Sequence, residues 1–80
     1  MITITDYSKL PLLHKVVYLM NHGRDLAIRG NAKLSARLYY LNGFYVEVWV
    51  QYNKVIGAEI CSKHVIDKYL DDISLDDLKL

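Results

Sequence analysis

The sequence predicts an α+β fold: an N-terminal helix, a three- to four-stranded antiparallel meander sheet and a C-terminal helix, in a single domain of 80 residues. Three observations predict it. Asn42-Gly43 separates two runs rich in β-branched and aromatic residues, the strongest short-range mark of a two-residue hairpin. Residues 12–20 carry apolar side chains at helical spacing. Residues 62–73 do so again, with Val65, Ile66, Tyr69, Leu70 and Ile73 as the buried stripe.

The elements follow in order. Met1 to Thr5 alternates Ile2 and Ile4 with threonine, which reads as a weak strand or extended arm. Asp6 or Ser8 can cap the first helix, with Pro11 tolerated inside its first turn. Leu12, Leu13, Val16, Val17, Leu19 and Met20 form its broad apolar stripe, and Gly23 supplies a left-handed end. Continuation of that helix to Arg29 competes with a strand over 24–29. The alternation of Leu26 and Ile28 with Asp25, Ala27 and Arg29 favours the strand, and Gly30-Asn31 is its turn. Further strands are expected at 34–41, 44–52 and 55–61, the last two joined across Asn53-Lys54. Ser62 caps the final helix, and Ser74 with Asp77 resembles the cap of one more short turn.

A two-residue turn at Asn42-Gly43 sets Tyr40 opposite Tyr45, Leu38 opposite Glu47 and Ala36 opposite Trp49. A second such turn at Asn53-Lys54 sets Val48 beside Glu59 and Trp49 beside Ala58. One face then carries Tyr39, Leu41, Phe44, Val46, Val48, Val50, Tyr52 and Val55. The other carries Leu34, Leu38, Tyr40, Tyr45, Trp49, Ile56, Ala58 and Ile60, with Glu47 and Gln51. Both faces are largely apolar, whereas a sheet with one wet face alternates apolar and polar residues more cleanly. A second covering layer is therefore expected, from another copy of the chain or from a protein partner. A longer Asn53 turn with a different third-strand register, or residues 1–7 folding over the open face, would remove that need.

Composition narrows the function classes. A hydrophobic fraction of 52% with 24% charged residues belongs to a globular chain rather than a disordered one. Seven tyrosines suit half-buried sheet faces and interfaces. Cys61 has no second cysteine to pair with, the N-terminus lacks a basic stretch followed by an apolar core, and no apolar run is long enough to span a bilayer. A cytoplasmic protein with no membrane association is expected. Net charge is only +1, but residues 1–54 carry seven Lys/Arg against three Asp/Glu, and residues 55–80 carry three against six. Such a dipole is ordinarily solvated surface, and it can also orient an assembly.

The chemistry-bearing residues form no catalytic or metal pattern: His14, His22 and His64 show no ligand spacing, and no cofactor is expected. Cys61-x-x-His64 admits a nucleophile with a lowered pKa beside its base. The plainer reading, a small apolar residue closing a strand and a surface histidine, is preferred. Asp71-Asp72 and Asp76-Asp77 lack calcium-loop spacing and read as a solvated helix face and caps. Glu47, a carboxylate inside an apolar strand, calls for a Lys or Arg, for tyrosine hydroxyls, or for burial by a partner.

Helix–three strands–helix is also the order of the double-stranded-RNA-binding domain, and Ser62-Lys63-His64 stands where that family places basic residues. The family's lysine-rich helix start is largely missing, and Asp67, Asp71 and Asp72 would repel phosphate. Nucleic acid is the alternative rather than the preferred partner. The run Leu38-Tyr39-Tyr40-Leu41-Asn42-Gly43-Phe44-Tyr45-Val46-Glu47-Val48-Trp49, with Tyr69-Leu70-x-x-Ile73-x-Leu75-x-x-Leu78, resembles a group of small uncharacterised bacterial proteins. That resemblance spans residues 10–78 and implies a compact helix–sheet–helix unit with no assigned activity.

The expectation is a non-enzymatic interaction or assembly module, dimerising or docking a protein partner through an aromatic sheet face made by Tyr40, Tyr45, Glu47 and Trp49.

Overall fold

Positive φ at both Asn42 (45°) and Gly43 (91°) closes the central hairpin as its sequence demands. In the computed structural model, which describes residues 2–31, 33–62, 66, 67 and 69, every opposed pair of that hairpin sits at the expected register, from Leu41 facing Phe44 to Leu34 facing Gln51. The elements are α1 (Ile4–Ser8), α2 (Leu12–His22), β1 (Arg24–Gly30), β2 (Leu34–Leu41), β3 (Phe44–Gln51) and β4 (Lys54–Ile60). The four strands form one antiparallel meander in the order β1-β2-β3-β4. With two helices beside the sheet, the fold is α+β. Among the described residues no helix is long and apolar enough to cross a membrane.

The N-terminus folds differently from its expected extended arm. Thr3 accepts a hydrogen bond from the Asp6 amide at 3.1 Å and caps the short helix α1. Pro11 disfavours helical backbone at the residue before it, so the chain breaks there and starts again as α2. Pro11 thus stands at the cap position of α2, not inside the first turn of a single helix. Tyr7 joins these pieces: its hydroxyl donates to the Lys15 carbonyl at 2.9 Å and its ring packs against Phe44 and Tyr18.

Gly23 ends α2 in extended backbone (φ −83°, ψ 160°), not in the expected left-handed conformation. The requirement for glycine here is space. A Cβ at this position would come within 2.7 Å of the Leu19 carbonyl oxygen, to which the Gly23 amide donates. The chain then passes directly into β1, the strand expected over 24–29. A bulge between Asp25 and Ala27 lets both Leu26 and Ala27 pack on the same side of the sheet.

The β3–β4 connection is a further correction. The turn residues are Tyr52 and Asn53, both with positive φ, rather than Asn53-Lys54. Gln51 therefore faces Lys54 and Val50 faces Val55, and a bulge at Ile56 then shifts the ladder. Beyond it Val48 opposes Ala58, Glu47 opposes Glu59 and Trp49 opposes Gly57. Ala58 and Ile60 consequently join Val46 and Val48 on the helix-covered face, and Glu59 moves to the face of Glu47. One residue of slip exchanges the faces of a whole strand.

Two cores result. Tyr7 and Leu19 from the helices pack on Leu41, Phe44, Val46, Val48 and Ala58 on one side of the sheet. On the other side Ile66 and Tyr69 lie with Ala36, Leu38 and Tyr45. Of the helix expected from Ser62, Ile66 and Asp67 are helical, and the Ile66 amide donates to the Ser62 carbonyl at 3.2 Å. The rest of that helix, and the cap expected at Ser74 and Asp77, lie outside the described residues.

Candidate functional site

The four residues expected to form a partner-binding face do lie on one side of the sheet, and the chain itself covers part of it. Tyr45 is buried, and Glu47 is only 5% exposed despite its charge. Tyr40 and Trp49 are half-buried, and the Tyr40 and Tyr45 rings meet edge-on at 5.3 Å.

Glu47 sits mid-strand in β3, where desolvating a lone carboxylate would be costly. Two groups compensate. The Tyr69 hydroxyl donates to Glu47 Oε2 at 2.6 Å, and the Arg29 guanidinium approaches the same oxygen at 3.7 Å. Arg29 reaches across from β1 because the residue between it and Trp49 on the sheet is Ala36, whose small side chain leaves the space open. The guanidinium lies 5.6 Å from the Trp49 ring centre and 5.3 Å from that of Tyr69, so it is held by two aromatic faces as well as by charge. Burial pushes the Tyr69 hydroxyl well above the usual phenol range, and the hydrogen bond to Glu47 adds to the rise. The residue types compensating Glu47 are those its sequence setting calls for. Their identities, Arg29 and Tyr69, emerge only once β1 is placed and residue 69 is folded back over the sheet.

Beside this cluster, Glu47, Trp49, Glu59, Ile60, Cys61 and Ser62 line an open cleft of about 270 Å³. Burial and then the negative charge of Glu47 push the Cys61 thiol up to about 12. This is opposite to the lowered value a nucleophile needs, so the thiol stays protonated near neutral pH. His64, its possible base, lies outside the described residues. No group of three or more His, Cys, Asp or Glu side chains among the described residues is placed to hold a metal ion.

The second site is α2. Its six apolar side chains between Leu12 and Met20 occupy an arc of roughly 160°, at 100° per residue. The sheet takes only one margin of that arc: Leu19 is buried and Val16 half-buried. Leu13, Val17 and Met20, at the i, i+4, i+7 positions of one stripe, are 70%, 46% and 77% exposed. Shallow apolar grooves flank this ridge. One of about 320 Å³ includes Leu10, Leu13, His14, Val17 and Tyr18; another of about 230 Å³ runs from Val16 and Met20 to Tyr39, Val50 and Val55 on the sheet. The excess width of the apolar stripe was the signal for this surface in the sequence. Read as a core stripe alone, it hides the exposed half.

No family model matches the sequence, and comparison with curated proteins and with solved structures found no match.

Proposed function

We propose that the protein is a non-enzymatic assembly module that self-associates, with the α2 ridge as its principal contact. The observation that carries this reading is the stripe of Leu13, Val17 and Met20, three large aliphatic side chains left exposed side by side on one helix. Scattered apolar residues are ordinary on any surface, but a contiguous ridge flanked by apolar grooves is the form in which helices dock. The aromatic sheet face is the lesser contact on this reading, because Ile66 and Tyr69 already occupy its centre. Half-buried Tyr40 and Trp49, on the sheet face opposite α2, supply that second contact.

Sedimentation equilibrium of the wild type beside Met20→Glu and Trp49→Ala tests this. Met20 is so exposed that a glutamate there leaves the fold intact, and it is expected to shift the protein to monomer. Trp49→Ala is expected to weaken association less. Association that survives Met20→Glu and is lost with Trp49→Ala would move the contact to the aromatic face. Steeply salt-dependent binding of nucleic acid by a monomeric wild type would overturn the reading altogether.

A further inference from the structure

We propose that Asn42 is a site of spontaneous deamidation, and that the reaction releases the N-terminal segment from the central hairpin. Asn42 and Gly43 are the two turn residues, both exposed, and the first ladder pair beyond them is Leu41 with Phe44. The Gly43 amide therefore lies outside the ladder, on a residue with no side chain to shield it. A Cβ at Gly43 would meet nothing within 4 Å, so the space beside this amide is open as well. The chain supplies its own comparison. Asn21 precedes His22 inside α2, and the Asn31 side-chain oxygen accepts from the Lys33 and Leu34 amides at 2.9 and 3.1 Å. Asn53 is the close match to Asn42, exposed, in a turn and at positive φ (65°). It precedes Lys54, whose side chain crowds the attacking nitrogen, where Asn42 precedes glycine.

The reaction needs only water. The Gly43 amide gives up its proton to solvent, and its nitrogen attacks Cγ of Asn42. A C–N bond forms, the bond from Cγ to Nδ2 breaks, and ammonia leaves, closing a five-membered succinimide. Water then opens that ring at either carbonyl, leaving aspartate or isoaspartate at position 42. The closed ladder restrains the turn, so the reaction proceeds through local opening.

The nitrogen that leaves is the one that holds the N-terminal segment. Asn42 Nδ2 donates to the Ile2 carbonyl at 3.0 Å, across 40 residues of chain. Ile2 is half-buried against the core that includes Tyr7, and Tyr7 fastens α2 through the Lys15 carbonyl. Deamidation removes this donor and sets a carboxylate, an acceptor only, against the Ile2 carbonyl. The isoaspartate product also lengthens the backbone of a turn whose length fixes the hairpin register.

The test ages the full-length wild type in mildly alkaline buffer and follows it by fragmentation mass spectrometry. An amide-to-acid mass gain at Asn42 is expected well before any at Asn53, with aspartate and isoaspartate both present. No gain at Asn42, or equal rates at Asn42 and Asn53, would overturn the site. Fresh Asn42→Asp and Asn42→Gly variants isolate the tether, since each residue tolerates the positive φ of the turn. Hydrogen exchange of the Tyr7 and Leu10 amides, which close the turns of the N-terminal segment, is expected to quicken in both variants. The expected change is about fivefold, the worth of a typical hydrogen bond. Unchanged exchange in both variants would overturn the release while leaving the deamidation site standing.

Discussion

Tyr69→Phe removes one oxygen atom and isolates the interaction that fastens residue 69 to the sheet. The phenol donates at 2.6 Å to a carboxylate that is only 5% exposed. Hydrogen bonds to charged groups contribute about 1.5–3 kcal/mol, and their loss leaves the acceptor desolvated and short of a donor. The ring and its stacking on the Arg29 guanidinium persist in phenylalanine, so packing changes little. A loss of about 2 kcal/mol is expected. With a urea m-value near 1 kcal/mol/M for a domain of this size, the unfolding midpoint falls by roughly 2 M. Circular dichroism against urea at pH 7 reads this out, and Glu47→Gln completes a double-mutant cycle in which the two changes couple by about 1 kcal/mol or more. A Tyr69→Phe loss below about 0.3 kcal/mol, or strict additivity with Glu47→Gln, would refute the reasoning.

Three further outcomes are expected. Gly30→Ala places a Cβ 2.4 Å from the Leu34 carbonyl oxygen at φ +104° and is expected to cost about 2 kcal/mol or more. Gly43→Ala, at φ +91° with nothing within 4 Å, should cost only about 1 kcal/mol, and thermal unfolding of the two variants ranks them. Cys61 should react far more slowly with a thiol reagent at pH 7.5 in the folded chain than in urea. Because folding raises the Cys61 thiol from 9.0 and the Tyr7 phenol from 10.0, each to about 12, the folded state holds these protons more tightly. Their contribution to stability is present below pH 9 and declines from there to about pH 12, which urea titrations across that range measure.

Local rules made the central hairpin legible, since Asn42-Gly43 determines its own turn type and with it eight opposed pairs. The β3–β4 turn was harder. Tyr52 adopts a backbone conformation that tyrosine rarely takes, and the bulge at Ile56 then changes the register, so neither end of β4 could be read from alternation alone. Glu47 was legible as an anomaly needing compensation. Arg29 and Tyr69 were not, because each approaches from far along the chain, one across β2 over Ala36 and one by folding back. The α2 ridge was visible only as excess: helical periodicity gives the apolar arc, but tertiary contact decides which part of it the sheet covers.

Self-association is tested most directly by the solution mass of the wild-type chain, measured by light scattering behind size exclusion over a wide concentration range. A species at twice the 9.3 kDa chain mass, losing mass on dilution or with Met20→Glu, is the expected result. A single 9.3 kDa species at every concentration would contradict it.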